Sequence, residues 1–297
     1  MAKPITREQH LRKGMQIYRT GKLIYNLQKR FVGSKNRGLR REVFIATPYG
    51  RVRTLWYGFD NPDQAPLLID MQGGGFMIGS PEMDESLNLE LCRLTGCKVV
   101  SISYAKAPEF PYPVAVEQVY AVAEHLWQNA QQYGIDPQRM AIGGHSAGAN
   151  LATVACMKAK ADGRFNFTCQ LLDYPPVDLV TDPYDKPKPK GSIPPEMAST
   201  FNACYVDPSQ AREPYASPLF ADTQDLKGLP PALVILAGQD SLHDEGQAYA
   251  EKLKAAGVEV ELRDYPNARH NFTVESSEDA LHALGVTAGF LNKHFRR

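Results

Sequence analysis

Apolar and polar positions follow two rhythms along the chain, one typical of strands and one typical of helices. Residues 43–46 and 52–57 show the pattern of two strands joined by a turn. From residue 66 onward, short apolar runs are separated by segments whose apolar residues recur at helical spacing. The runs that predict buried strands are residues 66–71, 98–104, 140–143, 167–172, 233–237 and 258–262. The segments that predict helices are about residues 113–132, 147–163, 244–256 and 278–294.

The first forty residues differ from the rest because they contain no strand pattern. Thr6 and Gln9 have the types and spacing of a capping box, which predicts that a helix begins here. Apolar residues then follow at helical spacing with an interruption near Gly21, so one or two amphipathic helices are expected. Residues 33–38 are polar and predict a flexible connector to the first strand.

Strands that alternate with helices predict an α/β fold, with a mostly parallel eight-stranded sheet that helices cover on both faces. The alternation stops between about residues 175 and 221, where proline and polar residues prevail around a short helical piece at 196–202. A long insertion in a compact α/β domain typically forms a lid or binding element. We therefore expect a single domain over residues 1–297, with a cap built from about residues 1–40 and 176–221.

The composition narrows the class of protein. An apolar content of 43% and a charged content of 22% fit a soluble globular chain. Lys and Arg together number 33, as do Asp and Glu, so the whole molecule has no electrostatic attraction to nucleic acid. Through Arg41, however, there are twelve basic residues and one acid, Glu8. We expect a solvated basic helix face; attraction to anionic substrates or to a membrane surface is the alternative.

The cysteines and the N-terminus bear on where the protein works. Five scattered cysteines without a Cys-x-x-Cys pair indicate neither a disulfide framework nor a zinc site. The N-terminus lacks the apolar core of a signal peptide, and no apolar run is long enough to span a bilayer. We therefore expect a cytoplasmic protein without a membrane partner. Exposed edge strands of the sheet would permit a homodimer without requiring one.

The strongest chemical signal is Gly-His-Ser-Ala-Gly at residues 144–148, which has the Gly-x-Ser-x-Gly pattern of a nucleophile elbow. In such an elbow a strand turns sharply into a helix and exposes a strained serine at the tip, here Ser146. Side chains at Gly144 and Gly148 would collide with the neighbouring strand and helix. An ordinary Gly/Ser turn is the alternative, but the predicted strand before it and helix after it favour the elbow.

A serine nucleophile needs a histidine base that a carboxylate orients, and in this architecture the acid and then the base follow the serine in the chain. Asp240 follows the predicted strand at 233–237, and His270 follows the next strand. The other histidines precede the acid, lie too close to it or fall in the last helix. Asp244 is the rival acid, but it lies at a helix start, where a carboxylate commonly caps N–H groups.

Two further groups of residues complete the candidate site. Gly74 and Gly75, with the N–H group of Ala147, would form an oxyanion hole, because glycine lets backbone N–H groups point inward. No Walker or dinucleotide-binding pattern competes for this glycine run. The residues that would line an apolar substrate pocket, or else belong to the core, are Phe76, Met77, Phe201 and Tyr205.

A metal-binding site is the remaining alternative for the loop that contains Asp240. Asp240, His243, Asp244 and Glu245 would be the ligands of such a site, but further clustered His or Cys residues are missing from the sequence around them. We therefore expect neither a metal nor an organic cofactor.

Several motifs in the right order resemble those of the hormone-sensitive-lipase-like esterases, which have the α/β-hydrolase fold. The resemblance covers about residue 66 to the C-terminus and implies a carboxylic-ester hydrolase with Ser146 as nucleophile, Asp240 as acid and His270 as base. It also implies the oxyanion donors named above and a two-part cap. The motifs are Gln-Gly-Gly-Gly-Phe at 72–76, Tyr-Ala-Lys-Ala-Pro-Glu at 104–109, Gly-His-Ser-Ala-Gly at 144–148, Asp-Ser-Leu-His-Asp at 240–244 and His-Asn-Phe at 270–272.

Two positions depart from the family pattern. The family usually has His where this chain has Gln72, a residue that orients the oxyanion loop, and an amide can make similar hydrogen bonds. The family commonly has Asp where this chain has His145, and this form resembles aryl-formamidase and feruloyl- or acetyl-esterase relatives. Both departures leave the mechanism intact, but they make the family resemblance a less specific guide to the substrate.

The expected function is hydrolysis of a small-molecule ester with a short acyl chain, such as an acetyl ester, through an acyl-enzyme. Activity should fall in mildly acidic buffer as His270 takes up a proton. An aryl-formamidase, an amidase or a feruloyl- or acetyl-esterase would use the same three residues. A non-catalytic ligand receptor is the alternative from a different class, and it would require damage to these residues that the sequence does not contain.

Overall fold

A computed structural model describes residues 6–28 and 39–296; for residues 24–28 it describes the backbone alone. The sheet has eight strands in the order β1-β2-β4-β3-β5-β6-β7-β8. β2 runs antiparallel to its neighbours and the strands from β4 to β8 run parallel, as the sequence predicts. The strands β1 to β8 are Arg40–Thr47, Gly50–Tyr57, Ala65–Met71, Lys98–Ser103, Ile135–His145, Cys169–Asp173, Ala232–Gln239 and Val260–Arg269. The described helices α1 to α8 are Arg7–Gln28, Glu85–Thr95, Val114–Gln128, Ala147–Asp162, Pro195–Tyr205, Thr223–Leu226, His243–Ala255 and Glu278–Phe295.

The central strands are apolar along nearly their whole length because both faces of the sheet are covered. In β3, Leu67 and Ile69 face one hydrophobic core while Leu68 faces the other. Parallel strands buried on two faces read as continuous apolar runs rather than as an alternating pattern. This packing directs the carboxyl ends of β5, β7 and β8 to one edge of the sheet, where the candidate site lies.

Helix α2 is the longest element that the sequence analysis missed; the four-residue helix α6 was also not predicted. Its leucines at 87, 89 and 91 alternate with polar residues as in a strand, yet Leu91 is the one of the three that is buried. The alternating leucines concealed the helical period because the neighbouring elements cover only a narrow stripe of α2.

Helix α3 ends at Gln128, about one turn earlier than expected.

Helix α1 is continuous through Gly21, so the described residues 6–28 form one helix rather than two. The capping box is confirmed: the N–H of Thr6 donates to Gln9 Oε1 at 2.8 Å, and the N–H of Gln9 donates to Thr6 Oγ1 at 3.3 Å. The connector expected at residues 33–38 lies outside the described residues. Among the described helices, none is both long and apolar enough to cross a bilayer.

Helix α1 packs against α5, which lies within the 176–221 insertion. The contact is close at Gly14, where a Cβ would lie 2.1 Å from Cys204 Sγ. Beside it, His10 Nδ1 and Thr200 Oγ1 are 2.9 Å apart in a buried hydrogen bond. The two segments that the sequence assigns to a cap therefore contact each other.

Three basic residues of α1 pair with acids from other parts of the protein. These exposed ion pairs are Arg7 with Asp207 at 3.2 Å, Lys13 with Glu196 at 2.6 Å and Lys22 with Glu109 at 3.4 Å. The basic helix face is thus solvated, as expected from the sequence, and it is partly neutralised by acids from the insertion and from the loop after β4.

Candidate active site

Ser146 lies at the sharp turn between β5 and α4. Its backbone has φ 52° and ψ −118°, a region that residues other than glycine rarely occupy. A Cβ at Gly144 would lie 2.3 Å from the carbonyl oxygen of Met71, and a Cβ at Gly148 would lie 2.0 Å from the same atom. The collision expected for side chains at these glycines is therefore confirmed, and the turn presents the serine hydroxyl at the end of β5.

Three side chains from distant parts of the chain meet at this turn. His270 Nε2 lies 3.1 Å from Ser146 Oγ, and His270 Nδ1 lies 2.6 Å from Asp240 Oδ2. All three residues are buried, with 9%, 4% and 1% of the surface of His270, Ser146 and Asp240 exposed. The rival acid, Asp244, is exposed and pairs with His243 at 3.1 Å. The structure thus brings Asp240, and not Asp244, to the histidine.

The glycine loop after β3 passes directly over the serine. A Cβ at Gly73 would lie 3.4 Å from Ser146 Cβ, and Gly74 and Gly75 have φ of 122° and 56°. The carbonyl of Gly74 accepts hydrogen bonds from two N–H groups that follow it and closes a tight turn. In the described part of the chain no acceptor binds the N–H groups of Gly74 and Gly75. Ala147 is the first residue of α4, so its N–H also has no partner within the helix.

The side-chain amide of Gln72 holds the start of this loop in place. With the amide oriented to satisfy both ends, Nε2 donates to the carbonyl of Ile102 at 3.0 Å and Oε1 accepts from Lys106 Nζ at 2.6 Å. The hydroxyl of Tyr104 donates to the carbonyl of Gln72 at 2.9 Å. Burial lowers the pKa of Lys106 well below its ordinary value, against the opposing charge of Asp84. The amide therefore does make the kind of hydrogen bonds that the sequence analysis expected.

The four residues expected to line an apolar pocket differ in their contacts. Phe76 and Tyr205 are buried and stack with their ring centroids 3.7 Å apart, and the end of Met77 reaches Gly14 of α1. Phe201 packs on the glycine loop, since a Cβ at Gly75 would lie 2.2 Å from its ring. All four residues thus belong to the same buried core, and the ring of Phe201 is also in contact with Gly75.

His145, the residue before the serine, is buried among carboxylates that the sequence analysis did not single out. Its Nδ1 lies 3.0 Å from Asp173 Oδ2, and one ligand atom each of Asp70, Asp84 and His145 lies within 4.8 Å of the others. Burial by itself lowers the pKa of His145, but the charges of these three carboxylates outweigh it and raise the pKa to about 10. These charges favour the protonated ring, a form that offers no lone pair to a metal ion. Asp70, Asp84 and Asp173 stand on three separate elements, and no local pattern marks them as a group.

Comparison with known proteins defines the class of protein. A family model of the alpha/beta hydrolase fold matches residues 68–274. The carboxylic ester hydrolase LipN of Mycobacterium tuberculosis is 35% identical over 247 residues, which cover 78% of this chain and 63% of LipN. The ethyl acetate hydrolase of Pseudomonas putida is 30% identical over 235 residues, which cover 76% of this chain and 73% of that protein. A solved structure of a Pyrobaculum calidifontis esterase has a TM-score of 0.81 at 30% identity and covers 98% of this chain and 99% of that one.

The fold is therefore that of the serine hydrolases of α/β type. The chain belongs to the α/β-hydrolase family, among its hormone-sensitive-lipase-like esterases, and the family resemblance of the sequence motifs is confirmed. The match spans slightly less than two thirds of the length of LipN.

Proposed function

We propose that the protein is a carboxylic-ester hydrolase that forms an acyl-enzyme on Ser146. The observation that carries this proposal is the continuous chain of hydrogen bonds from Asp240 through His270 to Ser146. A serine hydroxyl is a weak nucleophile until a base takes its proton, and His270 Nε2 is within reach of that proton. Asp240 accepts the Nδ1–H of His270 and so holds the tautomer in which Nε2 is the base.

The reaction has two steps of acyl transfer. Ser146 Oγ attacks the ester carbonyl while His270 takes its proton, and the carbonyl π-electrons move to the oxygen. The tetrahedral intermediate collapses as His270 protonates the departing alcohol, which leaves an acyl group on Ser146. His270 then deprotonates a water molecule that attacks the acyl group, and the acid is released with the serine regenerated.

The N–H groups of Gly74, Gly75 and Ala147 would hold the intermediate's negative oxygen. Donors fixed before the reaction lower the barrier because they need no reorganisation as the charge develops. The left-handed turn at Gly74 and Gly75, the lack of an acceptor for their N–H groups among the described residues and the helix start at Ala147 support this assignment.

We propose short-chain acyl esters, acetyl esters included, as the substrates. Phe201 packs against Gly75 and so closes the space beside the oxyanion loop, which limits the length of an acyl group there. Helices α1 and α5 together would form the cap over the site. The ethyl acetate hydrolase among the relatives supports the same class of substrate.

The proposal is tested with p-nitrophenyl esters from acetate to laurate. We expect turnover of the short esters by the wild type and a loss of at least about a thousandfold in kcat for Ser146→Ala, the scale seen when a serine nucleophile is removed. Ser209→Ala is the matched control, since Ser209 lies in an exposed turn where it bonds to Asp207. Retained turnover by Ser146→Ala would contradict the proposal.

The same assay separates the competing functions. An acyl amide or N-formyl arylamine turned over faster than the matching ester would indicate an amidase or formamidase with the same residues. Tight binding of an ester without turnover would indicate a receptor.

We also propose a cytoplasmic location. All five cysteines are free thiols, and four of them are buried. Unpaired thiols are typical of a reducing compartment. Fractionation of cells, followed by detection of the protein with an antibody, would test this.

A further inference from the structure

A chain of hydrogen bonds connects the residue before the nucleophile to the loop that carries the base. The Nδ1–H of His145 is shared between Asp173 Oδ2 at 3.0 Å and Thr273 Oγ1 at 3.2 Å. Thr273 Oγ1 in turn lies 2.5 Å from the hydroxyl of Tyr174. Each of these four side chains is less than 10% exposed, so these hydrogen bonds are largely shielded from solvent.

Both ends of this network touch the reacting residues. The backbone N–H of Ser146 donates to the carbonyl of Asp173 at 2.9 Å. Thr273 lies three residues beyond His270, in the short helix Phe272–Val274 that closes the same loop. The ring of Tyr174 meets the ring of His270 edge-on, with centroids 4.9 Å apart. The network therefore spans the elbow, the end of β6 and the loop of the base.

We propose that the side chain of His145, through the hydrogen bonds of its Nδ1 with Asp173 and Thr273, is a positioning group that holds the loop of His270 against the nucleophile elbow. The inference rests on the proposed function, because it assigns His145 a part in the same reaction. His145 touches neither Ser146 Oγ nor the ring of His270 in a hydrogen bond of the described chain, so it acts through its partners.

The charges around His145 explain why its ring keeps both protons. Asp70 faces it from β3, Asp84 from the turn before α2 and Asp173 from β6, and these carboxylates raise its pKa to about 10 despite its burial. Burial raises the pKa of Asp84 to about 7 and also raises that of Asp70, in both cases against the charge of His145. Lys106 is the other nearby cation, and it acts on Asp84. A ring with two N–H groups has a proton on Nδ1 that it can donate to Asp173 and Thr273.

Thr273 offers the cleanest test, because Thr273→Val removes one hydroxyl and keeps the shape of the side chain. We expect kcat for p-nitrophenyl acetate to fall about tenfold with KM unchanged, since a small misplacement of the base slows the chemical step rather than binding. Thr273→Ser restores the hydroxyl and should remain within about twofold of the wild type. Tyr174→Phe, which removes the partner hydroxyl, should also lower kcat.

The protonation state is measured separately from activity. Nitrogen-15 NMR of histidine-labelled protein should show both ring nitrogens of His145 protonated at pH 8, with the signal assigned by its loss in His145→Gln. His125→Gln is the control, because His125 bonds to Tyr133 in another part of the protein.

Each outcome has a distinct meaning. If the wild type is active and both Thr273→Val and Thr273→Ser have the same kcat as the wild type, the positioning role is overturned. The proposed function would then still stand. A lowered melting temperature with unchanged kcat in Thr273→Val would show that the network only stabilises the fold. That result would also overturn the positioning role. A neutral ring at pH 8, or a stoichiometric metal ion held by His145, would overturn its protonated state. A wild type that neither hydrolyses esters nor reacts with a fluorophosphonate would contradict the proposed function itself.

Discussion

Gly148 lies two residues beyond Ser146, where the start of α4 is in close contact with the end of β3. The residues of the elbow could be predicted from the sequence better than the partners of His145. The sequence alone places glycine, serine and glycine at the elbow, and the reason is local: the turn is tight enough that its residues constrain one another. The positions of the proposed acid and base, Asp240 and His270, are also predictable, because their order in the chain follows the order of the strands. His145 was visible as a departure from the family pattern, but its partners Asp70, Asp84 and Asp173 come together only in the folded sheet.

Gly148→Ala should destabilise the fold by about 2 kcal/mol, the typical cost of forcing a methyl group into a packed site. The new Cβ would lie 2.0 Å from the carbonyl oxygen of Met71, so β3 and α4 must move apart. Gly285→Ala is the control: it lies inside α8 with nothing within 4 Å of the new atom, and it should stabilise by about 0.5–1 kcal/mol. Chemical denaturation measures both, and equal stability of the two variants would contradict the steric account of the elbow.

The proton on His145 predicts a pH dependence of stability. An unfolded histidine releases its proton near pH 6.5, whereas His145 holds it in the folded protein to about pH 10. Its contribution is fully present below about pH 6.5 and is lost as the pH rises toward about 10, because the folded state binds more protons in this window. The stability advantage of the wild type over His145→Gln should therefore shrink between pH 7.5 and 9, by at most about 1.4 kcal/mol per pH unit.

The control for this measurement is His125→Gln. Burial lowers the pKa of His125, so its ring is neutral in both the folded and the unfolded state throughout this range, and the difference in stability between His125→Gln and the wild type should stay constant. A constant difference for His145→Gln as well, in urea denaturation at both pH values, would show that His145 carries no extra proton.

At the scale of elements, the strands and most helices follow from the sequence because two buried faces impose a strong apolar pattern. Helix α2 did not, since its leucines at 87, 89 and 91 alternate and one of them is buried. The substrate side of the site was also hard to predict. Four large apolar residues looked equivalent in the sequence, and contact with the glycine loop distinguishes Phe201 from Phe76, which packs on Tyr205.

Phe201→Ala should allow the protein to accept esters with longer acyl chains. Removing the ring opens the space beside Gly75, so the ratio of kcat/KM for octanoate to that for acetate should rise about tenfold, on the scale of one to two methylene groups in an apolar pocket. Met197→Ala is the matched control on α5, because Met197 is 41% exposed. An unchanged chain-length profile in Phe201→Ala would place the acyl group elsewhere.

At the scale of the whole molecule, the basic N-terminal helix lies against a body with an excess of acids. The ion pairs of α1 are exposed, and pairs of this kind contribute about 0.2–1 kcal/mol each and less in salt. The contact at Gly14 is different, because a side chain there would meet Cys204 at 2.1 Å. We therefore expect close packing, rather than charge, to hold α1 on α5.

Gly14→Leu should release α1 from α5, whereas 1 M salt should not, because salt screens exposed charges and leaves packing intact. Hydrogen exchange of the peptides of α1 measures this directly. We expect fast exchange in Gly14→Leu and unchanged protection of the wild type in salt. Protection lost in salt alone would show that the ion pairs hold the helix.

The central claim is that an acyl group passes through Ser146. The most direct measurement is rapid quenching of the protein with p-nitrophenyl acetate, followed by mass spectrometry of its peptides. The account predicts one acetyl group on Ser146, formed in the wild type and missing from Ser146→Ala and from His270→Ala. An active protein in which the acetyl group lies on another residue, or in which Ser146→Ala still forms the acetylated species, would contradict it.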